Sequence, residues 1–122
     1  MRNRIFLFLA VTAVVLVLLS GCSLEPTPYA GTLDKEGNEL VIACVNDLRS
    51  RLGPNSGVIV LIAYEPVIWR DTALGLNEPG KSYAPAVTPG ARVVLRTAGW
   101  SFTYHAGRTA LKIEVKLASQ AR

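Results

Sequence analysis

Residues 92–116 read RVVLRTAGWSFTYHAGRTALKIEVK, and the fold turns on how this stretch pairs with itself. Ala98-Gly99 fits a two-residue hairpin turn. That register sets Thr97 opposite Trp100, Leu95 opposite Phe102 and Val93 opposite Tyr104, residues that share one mainly apolar face. Arg92 with His105, Val94 with Thr103 and Arg96 with Ser101 fall on the other face. Gly107-Arg108 predicts a second turn, with Gly first as a type II′ turn prefers. It pairs Tyr104 with Leu111, Phe102 with Ile113 and Trp100 with Val115, and sends Lys112, Glu114 and Lys116 to the polar face. A one-residue slip in either turn would move every side chain to the wrong face. The expectation is a three-stranded antiparallel meander.

Upstream, Leu40, Val41, Cys44, Val45, Leu48 and Leu52 fall on one stripe of a 3.6-residue period, which predicts a helix. Asn38 is the expected N-cap, with Glu39 in the first turn, and Gly53-Pro54 the stop. Val58 to Ala63 is β-branched and apolar on both faces, so it reads as a strand. Tyr64-Glu65-Pro66 is expected to break it, with Val67-Ile68-Trp69 resuming at an edge. Arg70 to Gly90, with Gly75, Pro79-Gly80, Pro85 and Pro89-Gly90, reads as one long irregular loop, either functional or packed on itself. The expected fold is α+β in two layers: an N-terminal helix on an antiparallel sheet of about four strands.

The chain opens with basic Met1-Arg2-Asn3-Arg4 and an apolar run from Ile5 to Leu19 that is short for a spanning helix. Its exit, Leu19-Ser20-Gly21-Cys22, resembles the lipobox of bacterial lipoprotein signal peptides. The resemblance implies cleavage before Cys22 and a diacylglycerol thioether on its sulfur, joined by acylation of the new amine. Two or three chains make a stable anchor. Ser23, in place of an aspartate after the cysteine, implies outer-membrane sorting where there is an outer membrane. The expected organisation is therefore a signal over 1–21, a lipidated tether over 22–37 and one domain over 38–122. The segment Ser23 to Glu36, with Pro26, Pro28 and Gly31, reads as a coil about 20 Å end to end.

Removing Arg2 and Arg4 takes the 13 lysines and arginines to 11 against 9 acidic residues, a formal charge near +2. The basic residues are scattered and the protein is exported, so nucleic acid is not an expected partner. With Cys22 lipidated, Cys44 is the one thiol left, enough for neither an intramolecular disulfide nor a zinc site. The expected partners are the membrane, through Cys22, and an envelope protein.

Catalysis needs nucleophile, base and orienting group in mutual reach. His105 is the single histidine, expected on an exposed polar face beside Arg92 and Ser101, and no carboxylate is placed to orient it. Glu65, Asp71 and Glu78 have no derivable relative geometry. Gly-rich phosphate cradles and clustered metal ligands are missing from the sequence, so no enzyme activity, cofactor or metal is expected. Trp69, Asp71, Tyr83, Arg92 and His105, on or beside the long loop, form the candidate binding surface.

Trp69-Arg70-Asp71, Leu74-Gly75, Pro79-Gly80, Tyr83, Pro89-Gly90 and Tyr104-His105 together resemble a small domain of uncharacterised bacterial secreted proteins and lipoproteins. In that family a cysteine commonly follows the Leu-Gly and pairs with one near the C-terminus. Leu76 stands there in this chain, and no late cysteine follows. The resemblance implies no particular activity. The helix followed by antiparallel strands is also similar in architecture to PepSY-type domains, proposed to inhibit or regulate proteases. Apart from these, a structural envelope lipoprotein without a specific ligand is the remaining expectation.

Overall fold

The computed structural model describes residues 26–122; Leu19, Ser20, Gly21 and Cys22 lie outside the described residues. One helix, α1 (Lys35–Leu52), is followed by four strands: β1 (Val60–Trp69), β2 (Thr88–Thr97), β3 (Trp100–Arg108) and β4 (Ile113–Ala121). They form one antiparallel sheet in the order β1-β2-β3-β4. The fold is α+β, with α1 across one face of the sheet. Among the described residues no helix is long and apolar enough to cross a membrane.

The β2–β3 hairpin has the expected register, from Thr97 opposite Trp100 to Arg92 opposite His105. Ala98 (φ 51°) and Gly99 (φ 79°) both take the left-handed conformation that a tight hairpin requires. Val93 and Leu95 on β2, with Phe102, Tyr104 and Ala106 on β3, meet Leu40, Val41, Cys44 and Leu48 of α1 in the core.

The second turn is not at Gly107-Arg108. Strand β3 runs on through both, pairing Gly107 with Glu114 and Arg108 with Ile113, and Tyr104 lies opposite Leu117 rather than Leu111. Two causes act together, one local and one tertiary. Thr109 closes the loop instead: its N–H donates to the Lys112 carbonyl at 2.9 Å, and its Oγ1 accepts from the Lys112 N–H at 3.1 Å. Gly107 is needed flat in the sheet, because Leu74 and Thr88 lie directly over it. The partner of Tyr104 shifts by six residues, an even number, so the faces survive from Tyr104 to Arg108; a bulge between Thr103 and Tyr104 then sets Phe102 opposite Gln120, seven residues from the expected Ile113. Ile113, Val115 and Leu117 still pack towards the core, while Leu111 projects into solvent, 95 % exposed.

Strand β1 does not break at Pro66. It is continuous to Trp69, with Pro66 opposite Ala91 and Ile62 as an extra, bulged residue. An edge strand has a neighbour on one side only and so tolerates a residue without an N–H.

The helix cap lies four residues before the expected one. Asp34, not Asn38, is the N-cap: its backbone is extended and its Oδ1 accepts from the Gly37 N–H at 2.7 Å. Gly37 masked this start in the sequence. It belongs to the helix because the Tyr64 hydroxyl lies where its side chain would be. The expected tether is accordingly shorter. The Tyr29 N–H donates to the Leu61 carbonyl at 2.8 Å, the Tyr29 and Tyr64 rings lie 6.4 Å apart, and Leu33 packs on the core. Replacing Asp34 by Ala is expected to lower the unfolding free energy by about 1 kcal/mol. Asn38→Ala should stay within about 0.5 kcal/mol. Urea titrations of both variants check the assignment, and the reverse ranking would return the cap to Asn38.

Candidate functional site

The long loop, residues 70–87, folds back over the face of the sheet opposite α1. Ala73 and Leu74 are buried there, and Asp71 turns the chain by accepting from the Ala73 N–H at 3.0 Å through Oδ1. Leu74 takes a positive φ of 55°, followed by Gly75 at 75°. This aims the Leu74 carbonyl at the sheet, 2.7 Å from His105 Nδ1. A carbonyl can only accept, so Nδ1 carries the hydrogen and donates it.

Trp69 and His105, expected on an accessible surface, are 6 % and 9 % exposed. Their rings stack at 4.6 Å and 24°, and the Trp69 indole N–H donates to the Ala106 carbonyl at 2.8 Å. Strand parity brings them together: Trp69 at the end of β1 leans across Gly90 of β2 towards β3. Tyr83 is half-buried, with its hydroxyl accepting from the Glu78 N–H at 3.1 Å and Lys116 Nζ 5.3 Å from its ring centre. Lys116 also donates to the Ala73 carbonyl at 3.3 Å. Arg92 stands apart, paired with Glu65 at 2.9 Å and open to solvent. Of the five candidate residues, Trp69, Tyr83 and His105 thus hold the loop on the sheet, Asp71 shapes the loop from within, and Arg92 ties β2 to β1.

A concavity lies on the other face, away from the candidate residues read from the sequence. A cleft of about 670 Å³ opens between the start of α1 and the far ends of β1 and β3. Tyr29, Leu40, Tyr64 and Pro66 give it apolar walls, Ile68 forms a 66 % exposed rim, and Arg108 supplies a cation. Arg108 pairs with Glu39, and its Nε is buried without a hydrogen-bond partner. Burial, with Asp34 close by, holds the Tyr64 phenol above its ordinary range, so it is a protonated donor at neutral pH. Asp34 and Glu36 also line the cleft, so the arrangement suits an apolar group carrying a polar, uncharged end. Tyr29 was hidden because it reads as tether, and Arg108 because it reads as a turn residue. The one available cue was an aromatic interrupting a Pro- and Gly-rich stretch.

Among the described residues no group of three or more His, Cys, Asp or Glu gathers to hold a metal ion. Cys44 lies in the core. No curated protein and no solved structure matches this chain. A match to one domain family runs over residues 41–114, from the first turns of α1 through the loop to the start of β4. The chain therefore belongs to the family described as Domain of unknown function (DUF8738).

Proposed function

We propose that this protein is a bacterial envelope lipoprotein, anchored through lipid on Cys22, whose domain is a non-enzymatic binding module for an envelope protein. The anchor rests on the basic start, the apolar run and Leu19-Ser20-Gly21-Cys22. The observation that carries the binding reading is the cleft: it is open, apolar-walled and furnished with a protonated phenol and an arginine. The non-enzymatic reading is supported by the environment of His105. It is 9 % exposed and stacked on the Trp69 indole, and among the described residues no hydroxyl, thiol or carboxylate side chain is hydrogen-bonded to it, so no nucleophile stands within its reach.

The test uses the full-length protein in cells, with a photo-crosslinking residue at Ile68 on the cleft rim or at Leu111 on the exposed β3–β4 turn. The expected result is a single protein adduct from Ile68, several-fold above Leu111, that is lost in an Arg108→Ala background. Equal, diffuse labelling from both positions would overturn the binding reading and leave a structural lipoprotein. Cys22→Ala tests the anchor separately: release from the membrane or stalled processing is expected, and an unchanged membrane-bound mature form would sink it.

A further inference from the structure

The sandwich has two ends of different character. At one lie the start of α1, Trp69, the loop over 70–87 and the β3–β4 turn; at the other lie the end of α1, Val58, the Ala98-Gly99 hairpin and Trp100. Pro26 and Pro28 sit at the hairpin end, in a shallow groove of about 230 Å³ against Val58, Val60 and Arg96. From there the chain is strapped to β1 by the Tyr29–Leu61 hydrogen bond and the Tyr29–Tyr64 contact before it reaches α1. We propose that the hairpin end docks on the anionic lipid headgroups of the anchoring membrane, so that the domain stands in one orientation with its cleft facing away.

The proposal rests on the lipid anchor at Cys22. Cys22 precedes Pro26 by four residues, and an extended chain advances at most ~3.6 Å per residue. The hairpin end is therefore held within about 14 Å of the lipidated residue, and any slack brings it inside the ~8–10 Å reach of surface charge. A free coil over the whole tether would not impose this.

The charges agree with that placement. At the hairpin end Arg49, Arg51 and Arg96 face Asp47 alone; Glu25, one residue before Pro26, lowers this excess without reversing it. Asp34, Glu36, Glu39, Asp71, Glu78 and Glu114 all belong to the opposite half, interleaved with lysines and arginines. The same end exposes Val58 (81 %) and places Arg122 4.8 Å over the Trp100 ring. Tryptophan and arginine side by side are suited to headgroup depth, where one is half-wetted and the other finds phosphates.

The experiment takes the full-length lipidated protein in vesicles of phosphatidylethanolamine and phosphatidylglycerol. An environment-sensitive fluorophore is attached at Val58→Cys or Leu111→Cys, and a headgroup-nitroxide lipid serves as quencher. Cys44 does not interfere, because it is buried. Quenching at position 58 is expected to exceed that at 111 several-fold. Tyr29→Pro, which removes the strap's N–H, should abolish the contrast while the protein stays vesicle-bound. Equal quenching at both positions, on protein whose Cys22 peptide carries the diacylglyceryl mass, overturns the orientation alone. A Cys22 peptide without that mass overturns the anchor and the orientation together. A blue-shifted but unquenched fluorophore at position 58 means that protein, a second copy included, covers this end and overturns the lipid assignment. A contrast that persists undiminished without phosphatidylglycerol overturns the anionic one.

Discussion

Replacing Gly90 by Ala is expected to destabilise the domain by about 3 kcal/mol, lowering the melting temperature by roughly 12–24 °C. Gly90 and Gly107 face each other across β2 and β3, and the Trp69 indole crosses the slot they leave. A methyl on Gly90 overlaps the Ala106 carbonyl oxygen, and lies 2.7 Å from Trp69 Nε1 and 2.8 Å from Gly107 Cα. Two of these three atoms are backbone in the middle of the sheet and cannot yield. The indole must therefore lift, which costs about 1–3 kcal/mol in overpacking. The buried Ala106 carbonyl also loses its side-chain donor, at about 1 kcal/mol or more. Gly80→Ala is the control. Gly80 makes the opposite demand: its φ is 80°, unlike that of Gly90, but nothing lies within 4 Å of an added Cβ, so only the left-handed penalty of about 1–2 kcal/mol applies. Urea unfolding followed by tryptophan fluorescence ranks the two, and a Gly90→Ala variant no worse than Gly80→Ala would refute the slot. A cycle with Trp69→Ala, itself worth about 3–5 kcal/mol, should be sub-additive by about 1 kcal/mol, because without the indole the new methyl loses one of its clashes.

This slot shows where the sequence could be read and where it could not. The β2–β3 hairpin was legible residue by residue, because a two-residue turn and a two-residue side-chain period constrain the same register. The β3–β4 pairing was legible only in its faces. Alternation fixes parity, so Ile113, Val115 and Leu117 had to face the core, but it does not choose among registers that differ by an even step. The choice fell to Thr109, whose side chain closes the loop, and to Leu74, thirty-three residues upstream, which occupies the space over Gly107. No local rule exposes a tertiary demand of that kind. The helix start was lost for the same reason, since Gly37 reads as a breaker until Tyr64 is placed over it.

The candidate site followed the same division. Trp69, Asp71, Tyr83 and His105 do converge on the long loop, but side-chain identity cannot say whether an aromatic faces a partner or the sheet. Here a carbonyl delivered by a positive-φ leucine holds His105, and the ring stacks on Trp69. The cleft assembles from Tyr29, from Tyr64 and Ile68 of β1, and from Arg108 of β3, three separate stretches, none with a motif of its own.

Alkaline pH should destabilise the domain through the one core side chain whose chemistry the sequence left idle. Burial against α1 and the sheet, with Asp47 one turn away, pushes the Cys44 thiol from 9.0 up to about 12. The folded state therefore holds the neutral thiol where the unfolded chain has already ionised. Stability from this group is complete below pH 9 and is lost as pH rises towards 12, by about 1.4 kcal/mol per pH unit and about 4 kcal/mol in all. Tyr104 acts with the same sign from a higher starting point. Burial first, and then the hydrogen bond its hydroxyl donates to Asp47 at 2.8 Å, raise its phenol above 10.0, so its share of the loss begins only above pH 10. The interval from pH 9 to 10 consequently isolates the thiol. Cys44→Ala should be less stable than wild type at pH 7 by about 1 kcal/mol, the loss of a small buried group. Between pH 9 and 10 its stability should be nearly flat while that of wild type falls, and above pH 10 both should fall, wild type more steeply because Cys44 and Tyr104 then act together. Parallel lines between pH 9 and 10, from urea titrations at each pH, would remove the thiol as the cause. Convergence of the two variants with rising pH would show that this core tolerates a cysteine only while it behaves as a hydrophobic side chain.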